Sequence, residues 1–466
     1  MTKGKYKLIL PFIQRRKLKF MCFDEFKNKY FHFIGCSGIG MAGLAYMVLE
    51  LKNRVSGSDI TYNKSSEILE DNGVKIYIGH SPANLPYIHN SSINKKNCII
   101  IYSSAIDKEN IEINQALKDN VLCYKRGQFL AKLSMCFEQI ISVAGSHGKT
   151  SVTAIITEIL KKTDKYNPGY FIGGYPSSYE KNASLGDGKI FITEADESDL
   201  SFTYLKSDLG IILNITEDHS WSIGGQKKLM DGFSVFVEKS DRLLLGADNI
   251  PKEFLTGLKQ AETKIIERKK YDKLFDDKFT GFQRSNITTA LNVAEFLGVN
   301  PKEAMNIVSD FKGVDRRMSI RYKSDGFVII EDYAHHPLEI KSVLSSIKKK
   351  YNSDIKVVFQ PHRYSRFLYC FDDFCRELDE AEYIFILPIF AAWEKQNDSE
   401  SLISKFTRKF NNKSIYLNKT WHDNAGYILD KIGEKGVLLL LGAGDISKLT
   451  PELLKSLDEK QIESFS

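Results

Sequence analysis

The sequence predicts an α/β protein with mostly parallel sheets. Short apolar, β-branched runs alternate with longer amphipathic segments, and two glycine-rich turns each join such a run to a helical stretch. At 466 residues the chain has the length of about three domains. The runs lie at 31–34, 98–102, 139–144, 190–193, 209–213, 328–331, 356–359, 383–387 and 437–441. No low-complexity linker, heptad or internal repeat interrupts them, so motifs place the boundaries, at 136 and 323.

Composition removes several classes. With 42% hydrophobic and 27% charged residues, the chain is neither a disordered protein nor a collagen nor a small disulfide scaffold. The longest apolar run, 436–443, is far short of the ~20 residues a membrane helix needs, so no span is expected. The net charge of +6 comes from the lead: residues 1–20 hold seven bases (Lys3, Lys5, Lys7, Arg15, Arg16, Lys17 and Lys19) and no acid. Without them the body carries −1, which is not the footprint of a nucleic-acid binder. Residues 1–30 thus read as a basic extension. A secretory signal is not expected there, and a start at Met21 explains it most simply. Seven scattered cysteines (22, 36, 98, 123, 136, 370 and 375) with no CxxC pair suggest reduced thiols in a cytoplasm. Cys36, inside a glycine loop, would have a depressed pKa if a helix started there.

The first turn, Gly38-Ile39-Gly40-Met41-Ala42-Gly43, fits G-x-G-x-x-G between the 31–34 run and a helix predicted over 41–51. Its bare backbone could hold the diphosphate of a dinucleotide or nucleotide sugar at the helix start, or could serve only close packing. Asp59 follows Gly38 by 21 residues, near the spacing at which an acid binds a ribose hydroxyl. The second turn, Gly145-Ser146-His147-Gly148-Lys149-Thr150, precedes a helix predicted over 151–161. It is a shortened phosphate loop: its amides would cradle ATP, Lys149 would meet the β/γ-phosphates, and Thr150 would face Mg²⁺.

Further along, polar residues gather where apolar runs end, the edge at which open α/β sheets bind ligands. Glu194, Asp196, Glu197 and Asp199 follow the 190–193 run, and Glu217-Asp218-His219 follows 209–213, which could bring His219 beside Glu194. Hard carboxylate oxygens suit Mg²⁺. His335 and His336 follow 328–331, and His362, Arg363 and Arg366 follow 356–359, residue types that bind carboxylate and phosphate. These histidines lack zinc-ligand spacing.

Together these stretches resemble the Mur ligase family. The residues that carry the resemblance are FIGCSGIGMAGLA (33–45), SGSD (56–59), SSAI (103–106), GSHGKTSVT (145–153), EADESDLSF (194–202), NITEDH (214–219), FKGVDRRM (311–318), DYAHHPLEI (332–340), FQPHRYSR (359–366) and GAGDI (442–446). The resemblance implies three domains: Rossmann-like at 31–135 for a UDP sugar, P-loop ATPase-like at 136–322, and Rossmann-like at 323–466. It implies an ATP-dependent ligase that joins L-alanine to the lactyl carboxylate of UDP-N-acetylmuramate through an acyl phosphate, in the cytoplasm, as a monomer or homodimer.

By the same resemblance, Gly38, Gly40, Gly43, Ser58, Asp59, Ser103 and Ser104 would bind the UDP sugar. Gly145, Ser146, His147, Gly148, Lys149, Thr150, Ser151, Asn286, Arg316, Arg317 and Asp332 would bind ATP. Thr150, Glu194 and His219 would hold Mg²⁺, and Lys149, His336, His362, Arg363 and Arg366 would serve catalysis. The chain departs from the family pattern at Cys36-Ser37, at Gly281-Phe282-Gln283 and at Ser220-Trp221. Competing readings are a ligase attaching a preformed peptide to the same sugar, a dinucleotide-dependent oxidoreductase, and a regulator without catalysis. The oxidoreductase leaves Gly148-Lys149-Thr150 and the acids at 194–199 without a role; the regulator, a nucleotide binder, is motivated by the departures from the family pattern.

Overall fold

The computed structural model describes residues 22–465, apart from 91, 164, 217–222, 247–249, 257, 259–261, 268, 276–278, 280, 393, 395–398 and 434. The chain divides into two compact units, one of residues up to 274 with 285–312, the other of 275–284 with 313–466.

The first unit holds two sheets. In one, β1 (Tyr30–Ile34), β2 (Arg54–Asp59), β3 (Lys75–Ile78), β4 (Cys98–Tyr102) and β5 (Leu122–Lys125) lie parallel in the order β3-β2-β1-β4-β5. The other comprises β6 (Gln139–Ala144), β7 (Gly169–Phe171), β8 (Ala183–Ser184), β9 (Ile190–Glu194), β10 (Leu209–Ile212), β11 (Arg242–Leu245) and β12 (Glu262–Ile265). Its order is β12-β11-β10-β6-β9-β7-β8, and only the β7–β8 pair is antiparallel. A single buried cluster runs through both sheets from Phe31 and Phe129 to Phe137, Phe191 and Phe202. The rings of Phe137 and Phe191 stack there at 4.4 Å.

The second unit carries β13 (Ser319–Ser324), β14 (Phe327–Asp332), β15 (Ile355–Phe359), β16 (Tyr383–Ile386), β17 (Ser414–Tyr416) and β18 (Gly436–Leu441), ordered β13-β14-β18-β15-β16-β17. Strands β14 and β18 are buried at every position. Their alternate residues feed two cores: Val328, Ile330 and Leu439 pack on one face, Ile329, Leu438 and Leu440 on the other. A parallel strand covered on both faces has no polar side, which explains its continuous apolar sequence.

Five helices matter for the site: α1 (Ile39–Glu50), α2 (Arg126–Ser134), α3 (Lys149–Lys162), α4 (Gly281–Phe296) and α5 (Pro337–Tyr351). Among the described residues no helix is long and apolar enough to cross a membrane.

Two cysteine expectations need correction. Cys22 and Cys136 are disulfide-bonded, their Cα atoms 5.2 Å apart across 114 residues of sequence, so this pair is not two reduced thiols. Folding has joined the entry to β1 with the entry to β6, a juxtaposition that spacing could not reveal. Cys36 is not a low-pKa thiol either. It precedes the start of α1 and is wholly buried, and burial, helped by Asp59, pushes it up to about 12.

Candidate active site

The phosphate turn leaves β6 and enters α3 with Gly145 at φ +132° and Gly148 at φ +85°. A side chain at Gly148 would stand 2.6 Å from Asn286 Oδ1, which places α4 against the turn. Asn214 clamps the turn from the end of β10. It accepts from the Ser146 amide through its carbonyl (3.2 Å) and from the His147 amide through its side chain (2.9 Å), and donates back to the His147 carbonyl (3.1 Å). Those two amides are therefore spent on the fold rather than on the expected cradle. No side-chain hydrogen bond caps α3, and a helix start of that kind suits an anion at its first residues, Lys149 to Ser151.

Lys149 Nζ donates to the Gly145 carbonyl (2.7 Å) and to Glu197 (2.8 Å). Burial alone would lower its pKa, but Glu197 and Asp196 outweigh it and keep the ammonium charged. Thr150 is buried beside it. Glu194 accepts from the Gly173 amide at 2.6 Å, and His219 lies outside the described residues. Among the described residues no group of three or more His, Cys, Asp or Glu is arranged to hold a metal ion.

Asp196 and Asp199 reach an arginine the motifs did not single out. Arg126, at the start of α2, donates through Nη2 to Asp196 (3.2 Å), Asp199 (3.0 Å) and Ser201 Oγ (3.3 Å). Burial pushes the Asp196 carboxyl up, but Arg126 and then Lys149 outweigh it and hold it below the carboxylate range. The nearest sequence signal was Gly127, where a side chain would meet Ser201 Cβ at 2.3 Å.

In the first sheet, Gly38 stands at the N-cap of α1 and Gly40 faces Arg126. Gly43 serves packing, since a side chain there would meet Phe171 at 2.9 Å. The Asp59 carboxylate accepts from the Ser37 and Thr61 amides, both at 3.0 Å, and braces the glycine loop from below. Ser58 donates to the buried Glu112 at 2.6 Å. The Ser103 amide donates to Ile34, while Ser104 donates to Asp199 at 2.8 Å and so joins the second sheet's acidic turn.

In the second unit the predicted residues collect at the ends of β14, β15 and β18. Backbone amides of Met318 and Ala334 donate to Asp332, both at 2.8 Å. Arg316 donates to the Gly442 and Gly444 carbonyls (2.6 and 3.0 Å) and is thereby committed to the loop after β18, whereas both Arg316 and Arg317 lie over the Tyr333 ring. His336 caps α5, accepting from the Leu338 amide at 3.4 Å, with its other ring nitrogen 3.7 Å from Cys370 Sγ. Its neighbour His335 is the one that faces His362, ring centres 5.4 Å apart.

His362 also stacks on Phe390 and lies 3.3 Å from Arg366. Burial, followed by the charges of His335 and the arginines, holds it well below the usual histidine range, so it is neutral near pH 7. Glu394 accepts from Arg363 Nε (3.0 Å), and Gln360 joins Asp445 (2.7 Å) to the Ile446 amide (2.9 Å). Sequence reading passed over Phe390 and Glu394, and gave no role to Gln360 and Asp445, which lie within its motifs. Arg316, Met318, Arg363 and Ala392, all around this site, have φ between +52° and +71°. Side-chain-bearing residues pay strain of about 1–3 kcal/mol there, a pattern that concentrates at working sites.

Comparison with known proteins agrees with this layout. Residues 30–137 match the description "Mur ligase family, catalytic domain", 143–313 "Mur ligase middle domain" and 316–444 "Mur ligase, glutamate ligase domain". The chain is 33% identical to a UDP-N-acetylmuramate–L-alanine ligase of Aquifex aeolicus, over 92% of this chain and 98% of that one. It is 34% identical to the protein of the same name from Persephonella marina, over 93% and 98%. Among solved structures, a UDP-N-acetylmuramate-alanine ligase from Thermotoga maritima superposes with a TM-score of 0.76 at 24% identity, covering 92% of this chain and 99% of that one. A murein peptide ligase from Psychrobacter arcticus gives 0.68 at 19%, covering 92% and 98%.

Proposed function

The chain belongs to the Mur ligase family, and from that premise we propose that it joins L-alanine to the lactyl carboxylate of UDP-N-acetylmuramate at the expense of ATP, in the cytoplasm, for peptidoglycan precursor synthesis. The observation that carries the reading is the uncapped start of α3 with Lys149 charged beside it, in the same compact unit as the glycine loop at 38–43. The expected division at 136 and 323 gives each substrate its region: the UDP sugar at 31–135, ATP at 136–322, the amino acid at 323–466.

The γ-phosphoryl group passes to the carboxylate, the amine of alanine attacks the acyl phosphate, and ADP and phosphate leave. Two anions must first be pressed together, and Lys149 is the cation that offsets their repulsion. The amides of Lys149, Thr150 and Ser151 bind phosphate oxygens, with Gly145 to Gly148 shaping the turn and Asn286 bordering it. Mg²⁺, with Thr150, Glu194 and His219 as donors, would lessen the same repulsion when bound. Asp332 and Arg317 keep the nucleotide-binding role that the family resemblance gives them, while Arg316 holds the 442–444 loop. His362, Arg363 and Arg366 form the amino-acid end, and His336 fixes the start of α5 beneath them. Neutral His362 can hydrogen-bond the amino acid, while the burial and cations that keep it neutral oppose its taking up a proton.

The test is phosphate release with UDP-N-acetylmuramate plus L-alanine, glycine, L-serine or the intact peptide. Release that requires the sugar and is fastest with L-alanine supports the reading; release with the peptide alone moves it to the recycling ligases. Release without the sugar would overturn it.

A further inference from the structure

Arg126 sits between the two loops that this reading assigns to different substrates. Its Nη2 is spent on Asp196, Asp199 and Ser201, all on the turn that also carries Glu197 and hence Lys149. Among the described residues no hydrogen bond engages its Nη1 or Nε. Nη1 lies 3.4 Å from where a side chain on Gly40 would begin, so those donors border the glycine loop. Ser104, beside the same loop, reaches Asp199 as well. The acidic turn takes Nη2 alone and leaves Nη1 beside the glycine loop, and arginine's planar fork can hold two anions apart in fixed directions.

We propose that Arg126 is a positioning residue: Nη1 meets the anionic diphosphate held by the glycine loop while Nη2 holds the acidic turn, so that sugar-nucleotide occupancy sets the alignment of Glu197 and Lys149 for ATP. Four carboxylates (Glu194, Asp196, Glu197 and Asp199) surround two cations here, and an anion on Nη1 fixes the guanidinium, so that Asp196 and Asp199 stay on Nη2 and Lys149 keeps its charge for the ATP phosphates. The two substrates therefore bind with coupled affinities, and the coupling is reciprocal.

The inference rests on the proposed function, and calorimetry with UDP-N-acetylmuramate and a non-hydrolysable ATP analogue separates the two. In the wild type each ligand should tighten the other by about 5-fold or more. Arg126→Lys keeps the charge but not the fork: the sugar nucleotide alone should weaken about 10-fold, the ATP analogue alone should bind as before, and the coupling should vanish. A brace for the fold would move the melting temperature and both affinities together. Asp199→Asn removes one of the two carboxylates that hold Nη2, leaving Asp196 and Ser201, and should keep sugar-nucleotide affinity while weakening the coupling; it decides the question if the lysine variant does not fold. Coupling undiminished in either variant, or absent from a wild type that turns over, overturns the role of Arg126 alone. A wild type that neither binds the sugar nucleotide nor releases phosphate overturns both.

Discussion

Lys149 and Glu197 form an ion pair at 2.8 Å in which the glutamate is wholly buried. Removing one member takes the main countercharge from the other, which costs up to about 3–5 kcal/mol in such settings. Lys149→Ala and Glu197→Gln should therefore each lower stability, and the double variant should lose less than the sum of the two. Activity follows a different rule. Every variant lacking Lys149 should be inactive, yet Lys149→Ala should bind UDP-N-acetylmuramate nearly as the wild type does. Denaturant titrations that proved additive would dissolve the pair; sugar binding lost with the lysine would dissolve the separation of sites.

Gly148 offers a second test of the turn. Alanine there meets both a φ of +85° and Asn286 Oδ1 at 2.6 Å. Gly148→Ala should lose about 1–3 kcal/mol of stability and at least about 10-fold in ATP-analogue affinity, with sugar-nucleotide binding unchanged. Unaltered ATP-analogue affinity by calorimetry would mean that the turn does not hold the nucleotide.

What the sequence revealed and what it hid have one physical cause. All nine apolar runs are interior strands, because a strand covered on both faces must be apolar throughout. The missed strands are mostly outer ones, such as β12, whose four residues are exposed, and β17. Three missed strands are interior: β7 and β11 are only three and four residues long, and the Arg-Val-Ser-Gly-Ser-Asp sequence of β2 breaks the apolar pattern and makes room for Cys36 over Gly57. At the site, turns that read as local motifs were legible. Partners from distant segments were not: Arg126 and Glu394 match no pattern, Asn214 opens a motif that gave it no role, and all three gain meaning only from what they touch. Nor could adjacent His335 and His336 be told apart before one became a helix cap.

That cap makes a third prediction. If His336 acts by starting α5, His336→Asn, which can accept the same amide, should keep most stability and turnover, whereas His336→Ala should lose about 1 kcal/mol. Melting curves and alanine-dependent rates decide it. An asparagine variant as stable as the wild type but inactive would put the ring itself in the reaction.

The Cys22–Cys136 bond closes a loop of more than a hundred residues, and such bonds stabilise by about 2–4 kcal/mol. A thiol reductant should lower the wild-type melting temperature and leave Cys22→Ser unmoved. Equal response of the two proteins, or two free thiols at these positions on alkylation of the unreduced protein, would show that the bond does not form.

Asp332 should leave a signature in the pH dependence of stability. Burial pushes its carboxyl up to about 6 from an ordinary value of 3.8, although Arg317 and the Ala334 and Met318 amides pull the other way. Folding therefore takes up a proton between those values. The sign follows: the contribution to stability is complete below about pH 4, declines as pH rises through 6, and is flat above. Over that range the wild type should lose about 3 kcal/mol relative to Asp332→Asn, which has no proton to release. Denaturant unfolding of both proteins from pH 4 to 8 measures the difference directly. A difference that rose with pH would mean that the two amides and Arg317 prevail over burial, leaving Asp332 ionised throughout and poised as an acceptor rather than as an acid.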